Sequence, residues 1–388
     1  MTGPDGRRPS LGRRDFLRRT AFGLGALAVG PRLLTACGDD DDGGNSGSGG
    51  SGGSSTALTH SNWPAYIDEE SVELFRRESG IELRYNEDLN DNAEFFAKVQ
   101  PDLSAGRNPG ADIVTPTYWL AGRLITLGWV EEIPFDDIPN ADNLVADLRR
   151  PAWDPEGRYS LPWQSGLTGI AYNVAATSRE LGSFEDLFDP AFRGKIGMLT
   201  EMRDTVGLAL LADGKDVTDL TFDAAAAAFD RIEQAKSDGQ IRQFTGNDYM
   251  DDLAAGNFAA CIGWSGDIAQ LALDNPDLRF VIPEEGGLRF SDTMLIPTGS
   301  PNVANAAKWM NYVYDPVNAA RIAAYVGYNS PVEGVREELA KDPETAPLAE
   351  SPLMFPDEQL LEQTHVFASL EEDEEAKFEE RFSDIIGA

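Results

Sequence analysis

Residues 57–85 read ALTHSNWPAYIDEESVELFRRESGIELRY, and this stretch decides the fold. Its first seven residues are typical of a short strand that ends in a loop. Over residues 69–79, apolar side chains lie among charged ones, and Gly80 follows. This pattern predicts a helix that ends at the glycine. Residues 81–85 alternate between apolar and polar side chains, as a half-buried strand does.

The alternation of strand and helix continues along the chain. The remaining predicted strands cover 111–114, 194–199 and 259–264, and the predicted helices cover 92–105, 118–127, 204–212, 222–237, 249–255, 267–273 and 317–326. Such alternation predicts an α/β fold with helices on both faces of a sheet. At 388 residues, the chain is also long enough for two domains or two lobes.

The residues that follow the predicted strands share one chemistry. In open α/β sheets, ligands bind beyond the carboxyl ends of the strands, so these residues are the candidates for a site. Most of them are aromatic or acidic: Trp63, Tyr66, Thr117, Tyr118, Trp119, Glu201, Asp204, Trp264 and Asp267, with Phe290, Asp292 and Tyr328 further along. The basic residues among them are Arg203 and Arg289.

This mixture of rings and carboxylates suits a polyamine, a methylene chain that carries several ammonium groups. Each buried ammonium needs a carboxylate partner, and flat aromatic walls suit the methylenes. Ring faces also attract the cation. Each residue alone has a structural interpretation, since a Trp after a strand commonly lies in the core. An Asp before a helix, such as Asp204 or Asp267, commonly caps it. Only the combination favours a ligand site.

Composition excludes several classes of function. The net charge is −34, which argues against nucleic acid and anionic membrane surfaces as partners and favours cations. Solubility, or an acidic proteome from a salty habitat, also accounts for the bulk charge. The chain has two cysteines and two histidines, too few for a zinc site, and they leave almost no candidates for a histidine-based triad. We therefore expect no metal, no cofactor and no internal disulfide.

The first 56 residues have the features of an export signal and a tether. Arg13-Arg14 precede an uncharged apolar run over 20–30, and Leu34-Thr35-Ala36-Cys37 follows. A basic segment, a short apolar run and small residues define a secretory signal, here 1–37. Residues 38–56 are almost all Gly, Ser, Asp and Asn, which predicts a disordered linker. Leu34-Thr35-Ala36-Cys37 resembles a bacterial lipobox, which implies lipidation of Cys37. The paired arginines resemble a twin-arginine signal.

From about Leu58 to its C-terminus, the chain resembles the bacterial spermidine/putrescine periplasmic binding proteins of polyamine ABC importers. The motifs that carry the resemblance are Asn62-Trp63-Pro64-Ala65-Tyr66-Ile67, Asp112-Ile113-Val114-Thr115-Pro116-Thr117, Tyr159-Ser160-Leu161-Pro162-Trp163, Gly169-Ile170-Ala171-Tyr172-Asn173, Arg193-Gly194-Lys195-Ile196, Gly263-Trp264-Ser265-Gly266-Asp267, Pro283-Glu284-Glu285-Gly286-Gly287 through Asp292, and Gly327-Tyr328. The Trp-x-Gly-Asp motif and the stretch from Glu285 to Asp292 are the most specific of these.

The resemblance implies the roles of single residues. Asp267 and Asp292 would bind ammonium groups, and Glu201 with Asp204 would be the acidic pair of the family. Trp264 would stack on methylenes, and Thr117 would bond an amine. The remaining residues implied for the cleft are aromatic: Trp63, Tyr66, Trp119, Phe290 and Tyr328.

The resemblance also implies the type II periplasmic-binding-protein fold, two α/β lobes joined by crossover hinge strands. Lobe 1 would comprise 57–168 and 292–330, and lobe 2 would comprise 169–291 and 331–388. The crossovers would lie near 166–171 and 286–292. We expect a monomer, lipid-anchored at the outer face of the cytoplasmic membrane, whose partners are a polyamine and the permease of an ABC importer.

The sequence departs from the family at one anchoring position. The family carries Glu or Asp directly before the tyrosine of its first motif, where this chain has Ala65. The ligand is then held differently at that end, or it is not a standard polyamine. The polar contact that the family makes near its C-terminus cannot be placed within 367–372.

Two other classes of function stay open at this point. The first is a binding protein of the same fold for a sugar, ferric ion or thiamine. The second is a hydrolase that uses Glu201 and Asp204 as acid and base. Against an enzyme, the chain from Ala57 onward has no Gly-x-Ser-x-Gly motif and no complete Walker motif.

Overall fold

The computed structural model describes residues 56–387 of the chain. The expected signal peptide, Cys37 and most of the expected linker lie outside these residues. No helix in the described part is both long and apolar enough to cross a bilayer.

A small parallel sheet begins the described chain. It consists of β1 (Ala57–Asn62), β2 (Glu82–Glu87) and β3 (Ile113–Val114), in the order β2-β1-β3. Three helices connect and follow these strands: α1 (Glu69–Ser79), α2 (Asn92–Leu103) and α3 (Tyr118–Thr126). The Asp68 side chain accepts from the Ser71 amide and begins α1, and Gly80, at φ 69°, ends it. The predicted strand–helix–strand order of residues 57–85 is thus observed.

A seven-stranded sheet follows. Its strands are β4 (Leu161–Asn173), β5 (Ile196–Leu199), β6 (Ile241–Thr245), β7 (Ala260–Trp264), β8 (Leu278–Val281), β9 (Gly287–Met294) and β10 (Thr364–His365). The order is β10-β9-β4-β7-β5-β6, and β8 pairs with β4. Of these strands, β5 and β7 had been predicted from the sequence pattern, and the resemblance implied crossovers where β4 and β9 lie. The strands β6, β8 and β10 had not been predicted.

Further helices pack on these sheets. They are α4 (Val174–Thr177), α5 (Met202–Ala212), α6 (Phe222–Ser237), α7 (Tyr249–Ala254), α8 (Ser265–Asp274), α9 (Val303–Val313), α10 (Pro316–Val326), α11 (Val335–Leu339), α12 (Ala346–Ala349), α13 (Glu358–Glu362) and α14 (Glu372–Ile386). Short 3-10 helices occur at Phe135–Asp137, Pro139–Asn143, Ala146–Leu148, Phe184–Phe188 and Pro190–Phe192.

The buried side chains form two separate hydrophobic cores. The first core surrounds β1–β3 and includes Trp163 and Met294, and the second surrounds β5–β7 and includes Ile170 and Leu288. The chain passes from the first core to the second along β4 and returns along β9. These two strands pair antiparallel from Leu161 to Thr168 of β4, so they join the cores side by side.

The packing of the C-terminal residues differs from the expected assignment of 331–388 to lobe 2. Val332, Val335 and Leu339 lie in the first core, because α11 packs against α10, and Met354 joins them. The later buried side chains, from Phe367 through α14, lie in the second core. The division into lobes stays a prediction, and this packing favours moving 332–354 to lobe 1.

Candidate ligand-binding site

A cavity of about 590 Å³, part of it open to solvent, lies between the two cores. All eleven residues proposed from the sequence line it: Trp63, Tyr66, Thr117, Trp119, Glu201, Asp204, Trp264, Asp267, Phe290, Asp292 and Tyr328. The lining comes from loops after β1, β3 and β5, from the start of α5 and α8, and from β9, so the carboxyl ends of strands do meet here.

Asp292 of β9 is held from the side of the first core. The Tyr66 hydroxyl donates to its Oδ2 at 2.7 Å, and the Thr117 hydroxyl donates to its Oδ1 at 2.7 Å. Burial raises the pKa of Asp292 to about 7, and the charges of Asp204 and Asp267 add to this shift. The two donors oppose it, because they stabilise the ionised form.

Asp267 is held by three donors. The Tyr328 hydroxyl donates to Oδ1 at 2.7 Å, and the Tyr249 hydroxyl and the Asn247 side-chain amide donate to Oδ2 at 3.0 and 3.1 Å. Burial raises the pKa of Asp267 to about 6 despite these three bonds. Its carboxylate is thus fixed in position while part of its hydrogen-bonding capacity stays open to a ligand.

Asp204 faces the cavity from α5. The Thr168 hydroxyl of β4 donates to its Oδ1 at 2.8 Å, and the Trp264 indole donates to its Oδ2 at 2.9 Å. Burial raises its pKa to about 6. The capping interpretation is wrong for both Asp204 and Asp267. Each is the third residue of its helix, and its carboxylate accepts hydrogen bonds from side chains and not from the helix backbone.

Glu201 lies at the edge of the cavity, directly before α5. The side-chain amide of Asn92 donates to its Oε2 at 2.9 Å. Burial raises the pKa of Glu201 to about 8, and the charges of Asp91 and Asp204 add to the shift. Asn92 also donates to the Thr117 hydroxyl at 2.9 Å, so a chain of hydrogen bonds links Glu201 to Asp292.

Five aromatic rings contact one another around the carboxylates. Neighbouring ring centroids are 6.4 Å apart for Trp63 and Trp264, 6.2 Å for Trp264 and Phe290, 6.1 Å for Phe290 and Tyr328, and 5.1 Å for Tyr328 and Tyr66. All four pairs meet edge to face, a favourable arrangement for aromatic rings. The rings therefore form a continuous aromatic wall.

Two glycines make room for this wall. A Cβ on Gly266 would lie 2.3 Å from Cδ2 of Tyr328, and a Cβ on Gly166 would lie 2.5 Å from Cζ of Phe290. Both separations are far below van der Waals contact. Glycine at these two positions thus lets the rings of Tyr328 and Phe290 lie directly on the backbone.

Direct hydrogen bonds also cross between the two sides of the cavity. The Thr200 hydroxyl donates to Oδ2 of Asp91 at 2.7 Å, and the Asn247 amide donates to the carbonyl of Asn90 at 3.1 Å. The backbone approaches closely here, because a Cβ on Gly246 would lie 2.4 Å from the Asn90 carbonyl oxygen. We call the contacts of residues 90–92 with residues 200–201 and 246–247 the clasp.

Sequence reasoning missed four of the residues that hold the carboxylates: Asn92, Thr168, Asn247 and Tyr249. Asn247 could have been found, because it follows β6, whose residues 241–245 carry the β-branched Ile241 and Thr245. Recognition of that strand would have added its end to the candidates. Ala65, where the family has an acid, has a left-handed φ of 55°, and its amide donates to Oε1 of Glu87 at 2.8 Å.

The geometry offers a ligand several anionic groups and flat walls. Among the described residues, no three His, Cys, Asp or Glu side chains are arranged to hold a metal ion. The thiol of Cys261 is fully buried, and burial raises its pKa, which disfavours the nucleophilic thiolate.

Comparison with known proteins places the chain in a family. The model of the bacterial extracellular solute-binding proteins matches residues 70–351. The spermidine/putrescine-binding periplasmic protein 1 of Haemophilus influenzae is 25% identical over 86% of this chain and 89% of its own. The putrescine-binding periplasmic protein PotF of Escherichia coli is 28% identical over 69% of this chain and 75% of its own.

Solved structures show the same fold. The spermidine/putrescine ABC transporter substrate-binding protein PotD from Streptococcus pneumoniae superposes with a TM-score of 0.69 at 23% identity, over 85% of this chain and 98% of its own. The expected type II periplasmic-binding-protein fold is therefore confirmed. With the match of the family model over most of the chain, these findings establish that the protein belongs to the bacterial extracellular solute-binding proteins.

Proposed function

We propose that the chain captures a polyamine, such as putrescine or spermidine, in the cavity between its cores and delivers it to an ABC importer. The observation that carries the proposal is the pair Asp267 and Asp292. Both carboxylates are buried at 4% exposure, and neither forms an ion pair with a lysine or arginine of the described residues. A ligand that brings ammonium groups supplies the missing positive charge.

The energetics favour a cation over a neutral ligand. An uncompensated buried carboxylate costs on the order of several kcal/mol in lost hydration, and its raised pKa reports that cost. An ammonium group that docks beside Asp292 or Asp267 restores the ionised form and removes this penalty. A sugar offers hydroxyl donors without the positive charge, so it offsets less of the cost.

The aromatic wall completes the match to a polyamine. Trp63, Trp264, Phe290 and Tyr328 present faces and edges to the cavity, and methylenes pack on such surfaces. A ring face also attracts an ammonium group by about 0.5–2 kcal/mol. Alternating rings and carboxylates then match alternating methylenes and amines.

The setting of the site supports delivery to a transporter. The relatives from Haemophilus and Escherichia are periplasmic polyamine-binding proteins, and the family is extracellular. We place the protein at the outer face of the cytoplasmic membrane as a monomer, anchored through lipidated Cys37 and the 38–56 linker. Closure of the two lobes around the ligand, about the β4 and β9 connections, would present the loaded form to the permease. A binding role with no catalysis fits this family.

Isothermal titration of the purified chain tests the proposal. Putrescine, cadaverine, spermidine and spermine are the expected ligands, and thiamine, a ferric salt and a hexose are the comparison set. Asp292→Asn and Asp267→Asn should each weaken binding of the preferred amine more than tenfold, because each removes a buried charge partner. Asp136→Asn is the matched control, since Asp136 is exposed and lies outside the cavity. Failure of all four amines to bind would disprove the proposal.

A further inference from the structure

Arg203 brings a positive charge among the carboxylates of the cavity. It stands two residues after Glu201 and directly before Asp204, and all three side chains line the cavity. Burial raises the pKa of Glu201 and of Asp204, and the charge of Arg203 opposes this shift at both residues. The guanidinium therefore lies within electrostatic reach of both carboxylates and is a potential partner for them.

The guanidinium is nevertheless held by a residue outside the cavity. Its Nη2 donates to Oε1 of Glu375, on α14, at 2.8 Å, and its Cζ lies 3.8 Å from the ring centroid of Trp119. Within residues 56–387, Glu375 is the one ion-pair partner of Arg203. Glu375 is not among the lining residues of the cavity. The Nε of Arg203 is buried without a hydrogen-bond partner in the same residues, so the guanidinium keeps a donor for another acceptor.

Glu375 also takes part in a contact between the two cores. Nη1 of Arg123, on α3, lies 3.9 Å from Oε1 of Glu375 and 3.7 Å from Oε1 of Glu379. Two arginines and two glutamates thus balance one another here, and Glu375 lies within ion-pair distance of both arginines. Loss of its charge would leave Arg203 buried and unpaired, which strongly favours any other arrangement that brings a carboxylate to it.

We propose that Glu375 is a positioning residue for ligand binding: it holds the guanidinium of Arg203 against Trp119 and so keeps this internal cation from pairing with Glu201 and Asp204. The inference rests on the proposed function, because the two carboxylates matter here as partners of ammonium groups. A carboxylate that is already paired with an arginine gains less from a second cation, so a released Arg203 would compete with the amine. Glu375 thus sets the affinity of the cavity without touching the ligand.

A double-mutant cycle on the full chain tests the inference, with putrescine and spermidine as probes in titration calorimetry. Glu375→Gln releases Arg203 and should weaken binding of the tighter-binding probe about tenfold or more. In an Arg203→Met background there is no guanidinium left to position. The same change at Glu375 should then alter the affinity by less than about twofold, as expected for sites that no longer interact.

The cycle separates this role from two others. Loss of the contact between Glu375 and Arg123 would weaken binding equally in both backgrounds, and equal losses would overturn the inference. A purely structural role would lower the melting temperature and the number of binding sites per chain and leave Kd unchanged, which would also overturn it. Glu380→Gln makes the same substitution at an exposed position of α14 outside the cavity and should bind as the parent does.

The proposed function and this inference fail in different ways. If the parent binds an amine and Glu375→Gln binds it equally well, the inference is wrong and the proposed function stands. If the parent binds neither probe, both are wrong.

Discussion

The Tyr66 hydroxyl lies 2.7 Å from Oδ2 of Asp292, although 226 positions separate the two residues in the chain. This bond joins the loop after β1 to the strand that connects the two cores. Its donor is 4% exposed, and so is its acceptor, so water competes little for either group. The bond stabilises the ionised form of an aspartate whose burial otherwise raises its pKa.

Removal of this hydroxyl should weaken ligand binding. In Tyr66→Phe, Asp292 keeps the donor Thr117 alone, so its pKa should rise further and less of it is ionised at neutral pH. Because a hydrogen bond to a charged group contributes about 1.5–3 kcal/mol, we expect roughly tenfold or greater loss of affinity for the preferred amine, measured by titration calorimetry. Tyr159→Phe, outside the cavity, should bind as the parent does. Equal affinity of Tyr66→Phe and the parent would show that the Tyr66 hydroxyl does not support ligand binding by Asp292.

A methyl group on Gly266 should displace Tyr328. The added Cβ would lie 2.3 Å from the ring, so the ring must move and its bond to Asp267 must break. We expect Gly266→Ala to lose about 1–3 kcal/mol of unfolding free energy and most of its amine affinity. Denaturant unfolding and titration calorimetry measure the two effects. Gly182→Ala is the control, since a Cβ there meets no atom within 4 Å. Parent-like binding by Gly266→Ala would contradict this role of the glycine.

Amine binding should become tighter as the pH rises from about 5.5 to 8.5. In the free protein, the pKa is about 6 for Asp204 and Asp267, about 7 for Asp292 and about 8 for Glu201. An ammonium partner favours the ionised carboxylates and lowers these values, so binding releases protons and is opposed by acid. Calorimetry in buffers of different ionisation enthalpy counts these protons. We expect Asp292→Asn to release fewer protons at pH 7. Affinity that is flat across this range would contradict the charged mode of binding.

The clasp should raise the affinity for every ligand by the same factor and should not change the selectivity among ligands. Thr200→Val removes the 2.7 Å bond to Asp91, so the closed form loses about 1 kcal/mol relative to the open form. Because apparent affinity scales with the population of the competent form, every ligand should weaken by the same factor, roughly fivefold. Thr218→Val removes a comparable bond to Asp216 in a surface loop and should have no effect. Unequal losses among putrescine, spermidine and spermine would show that Thr200 contacts the ligand instead.

Elements with a strong local pattern were predictable from the sequence, and elements defined by distant partners were not. The helix 222–237, with its Ala-rich stretch, was predicted at its observed bounds, and in the structure Thr221 caps its start. The strand β6 was missed, since it lies at the sheet edge with exposed Arg242 and Gln243 in its middle. The placement of 332–354 on the first core depends on α10, and no local pattern encodes that contact.

The candidate site was predictable as a set of residues and not as a hydrogen-bond network. The strand-end rule and the family resemblance together selected eleven residues, and these line one cavity, although their role in binding stays a prediction. Which donors hold each carboxylate depends on contacts between residues far apart in the chain, such as Thr168 with Asp204. Asp204 and Asp267 looked like helix caps for the same reason, because their side-chain partners lie on other elements.

The antiparallel pairing of β4 and β9 has a mechanical consequence. Motion between the cores must bend both strands together, since they are hydrogen-bonded side by side along the connection. Phe290 and Asp292 belong to the bending segment and also form the wall that meets the cargo. A ligand that binds against Phe290 and Asp292 therefore acts directly on the strands that connect the cores. No other element has to transmit the signal that a ligand is bound.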